Sequence, residues 1–263
     1  MVHNKKIDRR LEERKVWLRR LSKHVKPGKI VEFGCGSGFV LGVLAEEFPD
    51  SIIIGIDKSV ERLEKVVEKG LKNVIPVKAD ITHKIFPNST FDTALFVGSL
   101  HEVFSYLGRE KVEDSLRLAH NILKSDGVLI IQDFLKPQPA GVEIIFKNEK
   151  AQKKFFRFAN EFRPRKVIYE RTQDGVTLDI GDAVEFISKY HAQTEADWNE
   201  EMGETHFFFA EEDYKETAQR CGFIIKDMEE LPKLKKSWVK TKVDVEFKFE
   251  SQYRWIQVVL IKK

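Results

Sequence analysis

The stretch Ile30-Val31-Glu32-Phe33-Gly34-Cys35-Gly36-Ser37-Gly38 constrains the fold more than any other part of the chain. A short apolar run ends on an acid, then on three glycines alternating with small residues. This pattern predicts a buried strand, a turn whose backbone lies bare, and a helix opening at Phe39. Glycine tolerates positive φ there, and without a Cβ it lets a ligand reach the main chain. The helix that follows turns its unpaired N–H groups and the positive end of its dipole toward that ligand. The spacing is not that of the dinucleotide fingerprint G-x-G-x-x-G/A, because Phe39 occupies the third position and Gly38 comes one place early. No Gly-Lys-Ser/Thr follows, which removes a phosphate-binding P-loop.

Downstream, strand and helix patterns alternate. Residues 39–48 predict a helix stopped by Pro49-Asp50, and the β-branched run 51–56 a strand in the middle of a parallel sheet. That strand ends at Asp57-Lys58, about 20 residues beyond the glycines, where a carboxylate can accept from both hydroxyls of a ribose; the plainer reading of Asp57 is a cap on helix 60–69. A third strand, 74–79, ends in Asp80-Ile81, and a fourth, beginning at Phe91, exits through Val97-Gly98-Ser99. Helix 109–123, the turn Lys124-Ser125-Asp126-Gly127 and a fifth strand, 128–134, complete the series. Regularity stops at Lys136 and returns with a helix at 210–221, a strand at 222–225 and a final strand at 252–261. Right-handed crossovers would fold such a series into one parallel sheet covered on both faces.

Four segments in order carry a family resemblance. Glu32-x-Gly34-x-Gly36-x-Gly38 resembles motif I of class I S-adenosylmethionine (SAM)-dependent methyltransferases, and "FDTALFVGSL" resembles their motif IV. "LKSDGVLIIQDF" is similar to the turn into their fifth strand, with Ser125 and Asp126 replacing the usual proline and first glycine; Asp-Gly still suits a tight turn. The closing strand-loop-strand resembles their terminal antiparallel hairpin. The resemblance covers residues 25–135 by motif and 210–261 by pattern. It implies an α/β, Rossmann-like, seven-stranded mostly parallel sheet with an antiparallel last strand, helices on both faces, and an inserted lid between strands five and six. It implies SAM as cofactor, held by Glu32, Phe33, Gly34, Cys35, Gly36 and Gly38, with Glu32 toward the methionine amino group. Asp57 and Lys58 would take the ribose, Asp80 and Ile81 the adenine, and Val97, Gly98 and Ser99 would pass the sulfonium.

The implied reaction is an in-line displacement, in which the enzyme chiefly positions an acceptor. A base is needed only where the acceptor keeps its proton. His101, just past the strand end that faces the methyl group, has an ordinary pKa of about 6.5 that suits proton removal; its plainer role is to start the next helix. Glu102 and Tyr106 stand beside it to orient substrate. The expected division is a helical cap at 1–29, a SAM-binding domain at 30–136 and 210–263, and a lid at 137–209. Within the lid, Tyr169, Tyr190, His191, Trp198 and His206 are polar-aromatic candidates, and Phe155, Phe156, Phe158 and Phe162 line either a pocket or a core. No metal is expected, because His191, His206 and the acids between them lack a clustered carboxylate motif.

Composition narrows the partners. A net charge of +3 over 263 residues announces no polyanion partner, and the longest apolar runs are far too short to span a bilayer. The lead expectation is therefore a small-molecule acceptor, methylated on oxygen or nitrogen, with oligomeric state left open. An RNA or protein acceptor is the alternative, suggested by the basic face of helix 5–25 but lacking the Asn/Asp-Pro-Pro-aromatic signature. A non-catalytic SAM-binding module is the third, opposed by the intact glycines, Asp57 and Asp80. The N-terminus lacks an apolar signal core, and the two cysteines form no redox or metal spacing, so a cytoplasmic setting is expected.

Overall fold

The computed structural model describes residues 18–231, 244–246 and 254–263. Most of the basic face expected on the first helix (Lys5, Lys6, Arg9, Arg10 and Lys15) lies outside them. Helical residues 18–22 (α1) are described, with Leu18 and Leu21 buried and Arg19 and Arg20 exposed. The main sheet contains β1 (Lys29–Phe33), β2 (Ile52–Asp57), β3 (Val74–Lys78), β4 (Phe91–Val97), β5 (Leu123–Leu135), β9 (Phe223–Leu231) and β11 (Arg254–Lys262). Their order is β3-β2-β1-β4-β5-β11-β9. β1 to β5 run parallel, and β11 lies antiparallel between β5 and β9. This is the Rossmann-like sheet the sequence predicts.

Period-two alternation in apolar strands sends successive side chains to opposite faces, so each central strand feeds two cores. Ile30, Leu95, Ile130 and Val259 pack with α1, α2 (Phe39–Glu47) and α3 (Val60–Glu68). Their neighbours Val31, Phe96, Ile131 and Val258 pack on the other face with α4 (Leu100–Ile122) and α8 (Glu211–Arg220). Two differences from the sequence reading have local causes. α4 begins at Leu100 rather than at 109, because Gly108, at φ +82, breaks the helix internally rather than starting it. β5 begins five residues early, because Leu123 already pairs with Phe91.

Residues between β5 and α8 build a second sheet and its helices. β6 (Gly141–Phe146), β7 (Tyr169–Arg171) and β8 (Gly175–Asp179) join with β10 (Val245–Glu246) in the antiparallel order β10-β6-β8-β7. β10 comes from the connection between β9 and β11, so this sheet draws on residues outside 137–209. α5 (Glu149–Glu161), α6 (Ile180–Lys189) and α7 (Glu195–Glu201) complete the unit. Phe155, Phe158 and Phe162 are buried with Tyr190 and Trp198 in its own core, and Phe156 and Tyr169 pack against that core.

Candidate active site

Two groups of residues meet at the carboxyl edge of the main sheet, where the strand order reverses between β1 and β4. In open α/β sheets this switch point is where ligands bind.

The first group is built of backbone. β1 delivers Phe33 into the glycine turn, and the N–H groups of Gly34 and Cys35 both donate to the Ile56 carbonyl at 2.9 Å. Gly34 has φ +75, and a Cβ there would meet the Ser99 Cβ at 2.7 Å; the Ser99 hydroxyl donates to the Phe33 carbonyl at 2.9 Å. Gly36 has φ +52, but a Cβ on it would meet nothing within 4 Å. The turn is therefore closed toward β4 at Gly34 and open at Gly36. Asp57, buried at the end of β2, accepts from Gly36 N–H and from Ser59 N–H, both at 2.8 Å. Glu32 is also buried, and burial together with Asp57 raises its pKa well above the ordinary value. Its Oε2 is one of the few buried side-chain atoms, among the described residues, with no hydrogen-bond partner. Asp80 accepts from the backbone and hydroxyl of Thr82 and is largely exposed. Ile81 packs against the core, and Gly98, at φ +64, donates to the Gln132 carbonyl at 2.8 Å. The Lys58 ammonium lies 5.8 Å above the Tyr106 ring. An orphaned buried oxygen, an open positive-φ glycine and an acid tying the turn to β2 fit a cationic, ribose-bearing cofactor.

The second group is built of side chains from distant segments. His101 Nδ1 donates to Asp133 Oδ1 at 2.8 Å, and Asp133 also accepts from the N–H groups of Leu100, His101 and Phe134. Burial opposes a charge on the imidazole, but Asp133 outweighs it and raises His101 to about 9. The ring is thus a proton donor at neutral pH. Glu102 is half-buried, its carboxyl raised by desolvation. Tyr106 donates to Glu204 Oε1 at 3.0 Å, and burial with that carboxylate pushes its hydroxyl up.

The segment 204–207 is held over His101 by Glu185 of α6. This buried carboxylate accepts from Thr205 Oγ1 at 2.6 Å and from the N–H groups of His206 and Phe207 at 3.1 Å. Buried Lys189 lies 3.3 Å from it, and despite desolvation, Lys189 and Arg165 keep Glu185 below the ordinary carboxylate range. His206 stacks on Phe134 with ring centroids 4.6 Å apart and lies edge-on to His101 at 5.0 Å. His191 stays at the surface, its Nδ1 bonded to the Ser188 carbonyl at 2.7 Å.

Sequence reasoning missed Asp133, Glu185 and Glu204. Asp133 had a signal, an acid ending an apolar strand next to the β4 exit. Glu185 and Glu204 had none, because the groups that bring them to the site, Thr205 and Tyr106, lie 20 and 98 residues away.

A model of the methyltransferase domain matches residues 4–225. Trans-aconitate 2-methyltransferase of Rhodopseudomonas palustris is 35% identical over 75 residues, 27% of this chain and 29% of that protein, so the match spans under a third of the relative. An SAM-dependent methyltransferase structure from Mesorhizobium loti superposes with a TM-score of 0.57 at 18% identity, covering 93% of this chain and 95% of its own. The Burkholderia thailandensis 1,6-didemethyltoxoflavin-N1-methyltransferase, with bound 1,6-didemethyltoxoflavin and S-adenosylhomocysteine, superposes with a TM-score of 0.52 at 13% identity, covering 94% of this chain and 75% of its own. Cradle, sheet order and family match converge: this chain belongs to the methyltransferase-domain family.

Proposed function

We propose that the chain transfers the SAM methyl group to an oxygen or nitrogen of a small molecule seated between the main sheet and the insert. The observation that carries this reading is the Glu204–His206 segment, folded over the start of α4 and pinned by Glu185, which covers His101. Such a roof suits a compact acceptor. The R. palustris and B. thailandensis relatives are both named for small molecules.

In this reading Glu32, Phe33, Gly34, Cys35, Gly36 and Gly38 hold the methionine end, Asp57 and Lys58 the ribose, Asp80 and Ile81 the adenine, and Val97, Gly98 and Ser99 the passage to the acceptor. SAM supplies an activated methyl group, whose carbon–sulfur bond breaks as the bond to the acceptor forms. The chain does the rest: it orients the acceptor through His101, Glu102 and Tyr106 and excludes water with the insert. Residues 30–136 and 210–263 then serve the cofactor, 137–209 the acceptor and 1–29 a cap, with β10 crossing that division. No described helix is long and apolar enough to cross a membrane, and the two free cysteines support a cytoplasmic setting.

Incubation of the protein with methyl-labelled SAM and fractionated cell extract tests this. Label is expected in a small-molecule fraction; label confined to RNA or protein would overturn the small-molecule reading.

A further inference from the structure

The roof over His101 brings together more ligating atoms than methyl transfer requires. One atom each from His101, Glu204 and His206 lie within 4.8 Å of one another, and all three residues are buried. The hydrogen bonds behind them decide which atoms face inward. Asp133 accepts from three backbone N–H groups and from His101 Nδ1, so Nε2 is the nitrogen left for the cluster, and an ion binding there would displace its proton.

His206 has two possible tautomers. Its Nδ1 lies 2.9 Å from Ser188 Oγ, which in turn donates to the Glu185 carbonyl at 2.8 Å. With the proton on Nδ1, both of these short bonds form. With the proton on Nε2, the hydroxyl must leave that carbonyl, and the gain is a 3.4 Å contact to Glu201 Oε2. The shorter pair wins, since a hydrogen bond weakens steeply beyond its normal length. His206 Nε2 then carries a bare lone pair facing a carboxylate oxygen at 3.4 Å.

Lys189 already pairs with that Glu201 oxygen at 3.4 Å, so the ligating atoms left for a further cation are those of His101, His206 and Glu204. Two imidazoles with their far nitrogens anchored, plus a carboxylate, form the donor set that takes a divalent transition ion. We propose that His101, His206 and Glu204 form a binding site for one such ion, of the zinc, cobalt, manganese or ferrous class, with Glu201 beside it. The site rests on the reading of this side as the acceptor side. Imidazole ligands select against Mg²⁺ and Ca²⁺, which prefer all-oxygen shells. A bound ion would hold an acceptor oxygen and lower its pKa as a Lewis acid, so that acceptors with a hydroxyl or enol next to a second oxygen are the class that fits.

The test uses the full chain, stripped with chelator and titrated with Co²⁺ by absorption and with Zn²⁺ by calorimetry, while SAM uptake is measured in parallel on the same preparation. One equivalent of metal per chain is expected, with visible cobalt bands of a nitrogen-containing low-symmetry site. His206→Ala and Glu204→Gln should abolish that equivalent. Ser188→Ala, which removes only the anchor behind His206, should weaken it roughly 10- to 100-fold. His83→Ala, at the surface, should leave it unchanged. Absence of stoichiometric uptake by wild type, or uptake untouched by both His206→Ala and Glu204→Gln, overturns the metal site. Loss of SAM binding in wild type would instead overturn the methyltransferase site, whichever way the metal titration falls.

Discussion

The cradle at the end of β1 and the roof over His101 stand side by side but are made differently. The cradle is short-range: its glycines lie within five residues of each other, and its stability comes from main-chain bonds to Ile56 and Asp57. The roof is long-range: Tyr106 reaches Glu204 and Ser105 reaches Thr205 across 98 and 100 residues. The cradle also presents main-chain groups that any sequence with glycine at those points supplies. The roof presents buried ionisable side chains, whose charge states depend on each other. A fold can thus keep one cofactor and change acceptors by altering the insert alone.

The largest effect expected from separating the two regions is on the insert. Lys189 is fully buried between Glu185 and Glu201, at 3.3 and 3.4 Å. Lys189→Met leaves Glu185 without its closest cation and should cost about 3–5 kcal/mol of stability. Urea denaturation should show that loss, and calorimetry at 25 °C should still detect SAM binding. Simultaneous loss of SAM binding in folded protein would mean that the two regions are one energetic unit.

Gly36→Val acts on the other side. Its backbone strain is only about 1–2 kcal/mol, because the residue stands in the left-handed region with open space around it. The valine would project into that space, so SAM uptake should vanish while the melting temperature falls by only about 2–4 °C per kcal/mol. A variant that still binds SAM would move the cofactor away from the open end of the turn.

That contrast also explains what was legible in advance. Gly34, Gly36, Gly38, Asp57 and the parallel strands could be read because each signal is local: a breaker after an apolar run, an acid at a strand end, a short β-branched run; the seven-stranded sheet with its antiparallel last strand came from the family resemblance. Asp133 was readable by the same rule and was passed over. Glu185, Glu204 and the burial of Phe155 and Phe158 were not readable, because a helical aromatic stripe fits a pocket or a core equally well until its neighbours are known. The start of α4 was misplaced because Gly108 looks like a boundary in sequence and is a kink in the structure.

The smallest effect tests the sheet away from both sites. Asp92 accepts from Lys124 at 2.8 and 2.9 Å and from Lys29 N–H at 2.8 Å. Burial works against its charge, but these partners hold its pKa below the ordinary value. A depressed carboxyl stabilises the fold above its unfolded pKa, about 3.9, and that contribution fades as pH falls through the lower folded value. Asp92→Asn should therefore cost about 1–2 kcal/mol at neutral pH, shrinking toward zero in acid, with SAM affinity unchanged throughout. A penalty independent of pH would assign the loss to packing instead of charge.

The central claim is that cofactor and acceptor are held by these two separable groups. Titration calorimetry of SAM into wild type, Asp57→Ala and His101→Ala tests it without knowing the acceptor. Asp57→Ala should weaken SAM roughly 10- to 100-fold, the worth of a charged hydrogen bond, while His101→Ala stays within about twofold of wild type. Equal losses in both variants, or none in Asp57→Ala, would contradict the account.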